Sequence, residues 1–210
     1  IWIGTHKGIY VFSLSKKKVV KHYNTLNCQL PENLVRSIAQ DDKGRFWIGT
    51  FGGGIGVYTP QMQLIKKFNQ YEGFCSNTIN SIYLSKSKQV WVATGEGLVC
   101  FPTSDSFDYQ IFQREEGLPN THIRAITEDE NSNIWVSTNT GISCYIIAQK
   151  RFYNYDHFNN IPQGNFMSGC VTKNNDGVIY FGSINGLCFF NPDIAMSKLE
   201  TPPVVITEMK

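Results

Sequence analysis

Three ionisable side chains in this chain could carry out acid–base chemistry if the fold brought them together. They are His6, Glu96 and His122, and they come from separate stretches with no cluster of carboxylates around them. A histidine and a carboxylate at one surface can transfer protons or hold a metal ion. The sequence contains no Gly-x-Ser-x-Gly elbow, His-Glu-x-x-His motif or phosphate loop. We therefore expect no catalytic site, no metal and no cofactor, and we keep the three residues as candidate ligand contacts.

A second set of positions recurs at a fixed spacing. Arg36, Asn80 and Arg124 each stand eleven residues before a tryptophan. Gly169 stands eleven residues before Tyr180. An Arg guanidinium can bind a carboxylate or sulfate in a bidentate manner, and Asn can bond sugar hydroxyls. The alternative is that the two arginines bond backbone carbonyls and have a structural role only.

These positions belong to a repeat of 44 or 45 residues. Each unit carries one aromatic anchor, and the anchors are Trp2, Trp47, Trp91, Trp135 and Tyr180. Four short β-branched or aromatic runs per unit alternate with turns rich in Asp, Asn, Ser and Gly. No stretch shows a sustained 3.6-residue period, so helix is a minor component. The pattern predicts an all-β fold of propeller blades, each a four-stranded antiparallel sheet.

A single blade cannot bury its own apolar faces, so we interpret the aromatic anchors as inter-blade core rather than as a sugar-stacking surface. Small residues stand two positions after each anchor, and they should leave space for a side chain of the next blade. They are Gly4, Gly49, Ala93, Ser137 and Gly182.

Propeller topology also predicts where a ligand would bind. Loops that enter each blade share a face with the turns that join its second and third strands. His6, Glu96 and His122 fall in these loops, and the series from Arg36 to Gly169 should line the mouth of the central channel.

The repeat resembles the two-component regulator propeller repeat in its Trp-Ile-Gly-Thr run, the following Gly-Ile or Gly-Leu, and the Asn-x-(Val/Ile)-x-Ser-Ile run. The match is closest at Asn33–Thr50 and Gly117–Thr138. The resemblance implies a non-catalytic, periplasmic sensor module of a hybrid two-component histidine kinase, many of which detect glycan fragments. Its partners would be an oligosaccharide and the remainder of the sensor protein. A propeller lyase or lactonase, and a scaffold or protein-interaction propeller, stay open as alternatives.

The resemblance also implies a seven-bladed propeller, of which this chain would be a part of about five blades. The first blade would lack its innermost strand. We assign residues 1–200 to the repeats, and residues 201–210 to a final strand or the start of an immunoglobulin-like domain. The count reaches 19 potential strands if Val204–Glu208 forms the outermost strand of the last blade. Whether the array closes, stays an open arc or pairs as a homodimer is left open, since unpaired edges and apolar faces favour association.

Composition restricts the classes of partner that this chain could bind. A net charge of +2, from 19 basic and 17 acidic residues, gives no electrostatic case for nucleic acid. No apolar stretch approaches the roughly 18 residues of a membrane span, so we expect no direct membrane insertion by this segment. The six cysteines lack zinc-ligand spacing, and we expect buried free thiols.

Overall fold

The computed structural model describes residues 1–102, 106–157, 161 and 165–197, which form five antiparallel β-sheets in chain order. Sheet 1 contains β1 (Trp2–Thr5), β2 (Gly8–Ser13) and β3 (Lys18–Tyr23). Sheet 2 contains β4 (Val35–Gln40), β5 (Phe46–Thr50), β6 (Ile55–Tyr58) and β7 (Leu64–Phe68). Sheet 3 contains β8 (Ile79–Leu84), β9 (Val90–Thr94), β10 (Gly97–Phe101) and β11 (Gln110–Phe112).

Sheets 4 and 5 continue the same order. Sheet 4 contains β12 (Ile123–Glu128), β13 (Ile134–Thr138), β14 (Ile142–Ile146) and β15 (Arg151–Tyr155). Sheet 5 contains β16 (Phe166–Lys173), β17 (Ile179–Ser183) and β18 (Gly186–Phe190). A 3-10 turn (Gln70–Glu72) follows β7, and α1 (Pro192–Ser197) follows β18.

This architecture confirms the predicted fold class. Within each sheet the strands pair in sequence order, and the first strands of sheets 2 to 5 contact one another in succession on the inner side. Sheet 1 begins with the strand that carries Trp2, so among the described residues it lacks an inner strand, as predicted. Val204–Glu208 and the proposed boundary at residue 201 lie outside the described residues.

The hydrophobic core lies between consecutive sheets. Each of its four clusters joins one sheet to the next, for example Trp47 and Phe68 of sheet 2 with Phe101 of sheet 3. Trp47, Trp91 and Trp135 are at most 2% exposed, which confirms that these three anchors are core residues. The first and last anchors, Trp2 and Tyr180, are only half-buried. β9 and β13 are buried along their whole length, because both of their faces are covered by neighbouring sheets.

Small residues after the anchors set the spacing between sheets. A Cβ atom placed on Gly49 would lie 2.5 Å from Ile79 Cγ2 of the next sheet. One placed on Gly4 would lie 2.9 Å from Val35 Cγ1. A larger residue at either position would force these neighbouring side chains to move, so the sequence interpretation of these two positions is confirmed.

The buried indole nitrogens are fixed by the turn between the first two strands of a sheet. Trp47 Nε1 donates to Asp41 Oδ2 at 2.9 Å, and Trp135 Nε1 donates to Asp129 Oδ2 at 2.8 Å. Sheet 3 has Ser85 at this turn position, and the buried Trp91 Nε1 has no hydrogen-bond partner among the described residues. Sheet 3 therefore lacks a bond that sheets 2 and 4 share.

The carboxylate of Asp41 is nearly buried, yet it is stabilised in its ionised form. Burial raises its pKa, but hydrogen bonds from Trp47 and Arg45 and the charge of Arg45 outweigh burial, so that the pKa is lowered overall. Arg45 Nη2 lies 2.7 Å from Asp41 Oδ2. The turn thus neutralises its own buried charge.

The cysteines only partly match the expectation. All six are free thiols, and Cys28, Cys100, Cys144 and Cys188 are buried as expected. Burial raises the pKa of Cys100 to about 12. Cys75, however, is half-buried, and Cys170 of β16 is exposed. The expectation is wrong for Cys170 because sheet 5 is covered less completely than the sheets before it.

The outer faces of sheets 1 and 5 remain uncovered in the part of the chain that the structure describes. Ile3 is 43% exposed, whereas its repeat equivalent Ile48 is fully buried. Leu187 is 58% exposed, whereas its equivalent Leu98 is fully buried. The described sheets therefore do not close a ring through these two faces.

The indole bond gives a direct stability prediction. Asp129→Ala should lower the free energy of unfolding by about 3 kcal/mol, because it leaves a buried indole N–H and two turn amides without their charged acceptor. The matched change in sheet 3, Ser85→Ala, should cost about 1 kcal/mol, since it removes turn bonds but no indole bond. Urea unfolding of both variants measures the difference, and equal losses would contradict this role of Asp129.

Candidate functional site

Three of the inner strands carry an irregularity at the same repeat position. In sheet 2, Val35 pairs with Thr50 while Ser37 pairs with Gly49, so Arg36 is an extra residue outside the ladder. Register shifts at the equivalent points of sheets 3 and 4 leave Asn80 and Arg124 unpaired in the same way. Such β-bulges turn a side chain away from the regular alternation of the strand. The bulges account for the direction of these three side chains toward the inner side of the arc.

The bulge residues meet at a serine of sheet 5. Arg36 Nη1 donates to Asn80 Oδ1 at 2.7 Å and approaches Ser168 Oγ at 3.5 Å. Arg124 Nη1 approaches the same Ser168 Oγ at 3.4 Å. Ser168 Oγ in turn donates to Asn80 Oδ1 at 3.0 Å. Side chains from four sheets therefore converge on one point.

Two further residues hold the guanidinium groups in place. Arg124 Nε donates to Asn139 Oδ1 at 2.8 Å, and Asn139 lies in the turn after β13. The guanidinium carbon of Arg36 lies 4.3 Å from the centre of the Phe51 ring. We call Arg36, Asn80, Arg124, Asn139 and Ser168 the arginine cluster.

Ser168, rather than Gly169, is the fourth member of the repeated series. The count back from Tyr180 fails by one, because β16 has a longer register shift between Phe166 and Val171 than the other inner strands have. The sequence does contain the correct signal. Ser168 follows Arg124 by 44 residues, the same step that separates the earlier members of the series.

Asn80 is placed differently from the sequence expectation. Its side chain is only 1% exposed, its Oδ1 accepts from Arg36 and Ser168, and its Nδ2 donates to the carbonyl of Ile123 at 2.7 Å. These bonds leave it no access to a sugar hydroxyl, so the expected direct contact is not supported. Asn80 instead positions the guanidinium of Arg36.

The two arginines do not bond backbone carbonyls of the described residues, which was the structural alternative for them. All of their hydrogen-bond acceptors in the described chain are neutral side-chain oxygens, and none is a backbone carbonyl. No carboxylate of the described residues forms an ion pair with either guanidinium. By contrast, Lys86 and Lys173 both pair with Glu130 at 2.6 Å. The cluster is thus a site of uncompensated positive charge.

Burial lowers the pKa of both guanidinium groups, and the neighbouring positive charge of Arg124 adds to this at Arg36. Arginine stays protonated in proteins, so the two like charges persist side by side. An anion placed between them would remove this repulsion.

His122 and Glu96 lie beside the cluster, and His6 does not contact it. Burial lowers the pKa of His122, the charges of Arg124 and Arg36 lower it further, and Glu96 partly offsets them. Glu96 is exposed in the turn after β9. His6 is exposed in the turn between β1 and β2, in the first sheet. Of the three candidate ligand contacts His6, Glu96 and His122, the structure therefore brings two together.

The described residues contain no group of three or more His, Cys, Asp or Glu side chains that could hold a metal ion. None of their helices is long and apolar enough to cross a membrane. The side chains that meet in the arginine cluster are cationic and amide donors and one hydroxyl, with His122 and Glu96 beside them.

The pKa of His122 is a measurable property that depends on the positive charge of the arginine cluster. In the folded chain this pKa should lie below the ordinary value of 6.5. Because the pKa is lower in the folded chain, the unfolded chain binds more protons between the two pKa values. The contribution of neutral His122 to the free energy of unfolding is therefore fully present above pH 6.5. It is lost as the pH falls through the pKa of the folded chain. Arg124→Gln should raise the His122 pKa in an NMR titration, because one neighbouring charge is removed. The exposed Arg114→Gln should leave it unchanged, and the same pKa in all three proteins would contradict this electrostatic account.

Comparison with known proteins connects this geometry to a family. The two-component regulator propeller model matches residues 29–52 and 117–140, which enclose the two segments singled out from the sequence. No curated protein matches the chain. Among solved structures, the extracellular domain of a protein assigned as the hybrid two-component system BT3049 of B. thetaiotaomicron shares 73% identity and a TM-score of 0.93. The alignment covers 98% of this chain and 28% of that one.

Solved structures of lower sequence identity are similar to this chain in fold alone. The extracellular domain of BT4673 from B. thetaiotaomicron has a TM-score of 0.71 at 18% identity, covering 90% of this chain and 25% of that one. Virginiamycin B lyase from Staphylococcus aureus has a TM-score of 0.63 at 16% identity, covering 90% and 65%. The chain spans little more than a quarter of the extracellular domain with which it shares 73% identity. The two matched segments and this similarity show that the chain carries repeats of the two-component regulator propeller family.

Proposed function

We propose that this chain is a non-catalytic ligand-recognition part of a periplasmic sensor, and that its arginine cluster binds the acidic group of a glycan fragment. The relationship to the extracellular domain of a hybrid two-component system supports the sensor role. The uncompensated charge of the cluster supports an anionic ligand. A histidine kinase elsewhere in the intact protein would receive the signal.

The observation that carries this proposal is the meeting of two guanidinium groups without a counter-ion. Arg36 donates through Nη1, and Arg124 donates through Nε and Nη1. The remaining N–H groups of each fork have no partner among the described residues. A carboxylate or sulfate can accept two such parallel bonds, which a neutral hydroxyl cannot do. The cluster therefore favours an acidic sugar over a neutral one.

The proposed signal requires no bond chemistry. Arg36 belongs to sheet 2 and Arg124 to sheet 4, so an anion bound by both would link two sheets that are not neighbours in the arc. A ligand shifts a conformational equilibrium only through its different affinities for the two states. Bonds that span two sheets depend on the distance between the sheets and therefore supply this difference. We infer that the arrangement of the sheets is what the kinase senses.

Calorimetric titration of the chain tests the ligand class. An oligosaccharide that ends in glucuronate should bind more tightly than its uncharged glucose counterpart. Arg36→Gln and Arg124→Gln should each weaken binding of the acidic ligand by about 1.5–3 kcal/mol, the range for hydrogen bonds to charged groups. The neutral ligand should be nearly unaffected, and the exposed Arg114→Gln serves as the control.

Melting curves of the same variants separate recognition from structure. Arg→Gln changes that lower the melting temperature but leave the affinity of the folded protein unaltered would remove the cluster from the binding site. Turnover of a glycan or lactone that depends on His122 or Glu96 would instead support an enzyme of the lyase or lactonase type.

A further inference from the structure

A cleft separate from the arginine cluster opens beside the 3-10 turn of sheet 2. Its volume is about 150 Å³, and its lining includes Gly52, Lys67, Asn69, Tyr71 and Asn77. Pockets for whole drug-sized ligands measure roughly 300–1,000 Å³. The cleft therefore has space for about one sugar ring. We call it the Tyr71 cleft.

The lining of the cleft offers hydrogen-bond donors. Asn69 Oδ1 accepts from the backbone N–H of Glu72 at 3.0 Å, and Asn77 Oδ1 accepts from the backbone N–H of Gln70 at 2.8 Å. Because both amide oxygens are held in this way, the Nδ2 groups are the ends that remain without a described partner. Lys67 adds an ammonium group that pairs with no carboxylate of the described residues. A ligand in this cleft must therefore supply acceptors, and an anionic one satisfies Lys67 as well.

Tyr71 supplies the aromatic surface. Its side chain is 97% exposed, although tyrosine usually covers part of its ring. A pyranose ring has an apolar C–H face and a rim of oxygen acceptors, so it fits an exposed ring next to amide donors. The loop from Phe51 to Gly54 connects the cleft to the arginine cluster, since Phe51 stacks on Arg36 while Gly52 lines the cleft. The two sites thus flank one loop.

We propose that the Tyr71 cleft is a second binding subsite that takes one acidic sugar unit, with the ring on Tyr71 and the anionic group on Lys67. This deepens the proposed function, because an acidic glycan with a further charged unit would be held at the cleft and at the arginine cluster together. Selectivity would then depend on the spacing of charges along the glycan as well as on their number.

NMR titration of the chain with glucuronate, glucose 6-sulfate and glucose tests the subsite. Both acidic sugars should cause saturable shifts of the Tyr71 ring and of the Asn69 and Asn77 side-chain amides, and glucose should bind several-fold more weakly. Lys67→Gln should lower the affinity for glucuronate about three- to fivefold and remove the preference over glucose. Lys66→Gln is the matched control, because adjacent strand residues point to opposite faces.

Two variants of Tyr71 test the contact between its ring and the sugar. Tyr71→Ala should weaken binding of both acidic sugars about three- to tenfold, whereas Tyr71→Phe keeps the ring and should bind as the natural chain does. Absence of saturable shifts at Tyr71 with glucuronate would overturn the subsite. Equal binding of glucose and glucuronate, or equal effects of the Lys66 and Lys67 changes, would overturn its acidic preference.

Inorganic sulfate distinguishes failure of this subsite from failure of the arginine cluster. Sulfate alone should shift His122 and the side-chain resonances of Arg124, and it should leave the Tyr71 ring unmoved. Shifts at the cluster without sugar-dependent shifts at Tyr71 would refute the subsite alone. Sugar-dependent shifts at Tyr71 with no sulfate response at His122 would refute the cluster and leave the subsite standing.

Discussion

The packing of one indole ring between consecutive sheets is the interaction on which the rest of this structure depends. A sheet of four short strands has two apolar faces and no interior of its own, so each sheet becomes stable only through its neighbours. Trp47, Trp91 and Trp135 occupy that interface and are almost completely buried. The turn aspartates then accept the indole N–H groups of Trp47 and Trp135, which fixes how each ring is oriented.

The packing of the sheets also places the inner strands so that they form the site. Because they are held side by side, a bulge at the same point of each strand sends its side chain toward a common centre. Some cations of the described chain are paired with carboxylates, as where Glu130 holds Lys86 and Lys173. Arg36 and Arg124 are held by amide and hydroxyl oxygens instead. Such neutral partners orient a guanidinium without cancelling its charge, which keeps the cation available to a ligand.

Much of the fold could be predicted from the sequence, because the regular spacing of the aromatic anchors gives the length of the repeat. The strands, the buried tryptophans and the glycine positions all follow from that period. The fourth member of the inner series could not be placed by counting from Tyr180, since a longer bulge in β16 is invisible to an anchor count. Nor did the sequence show that Asn80 would be buried or that Cys170 would be exposed. Those outcomes depend on which faces the neighbouring sheets cover.

The bulges have a consequence for how such proteins diverge. A bulge residue such as Arg36 lies outside the strand ladder and outside the core between sheets, so its replacement disturbs neither. Within this one chain the same repeat position already holds two arginines, an asparagine and a serine. Each of sheets 2 to 5 therefore brings one side chain of variable type to the axis of the arc. Evolution can change what the axis recognises one residue at a time while the scaffold that supports it stays the same.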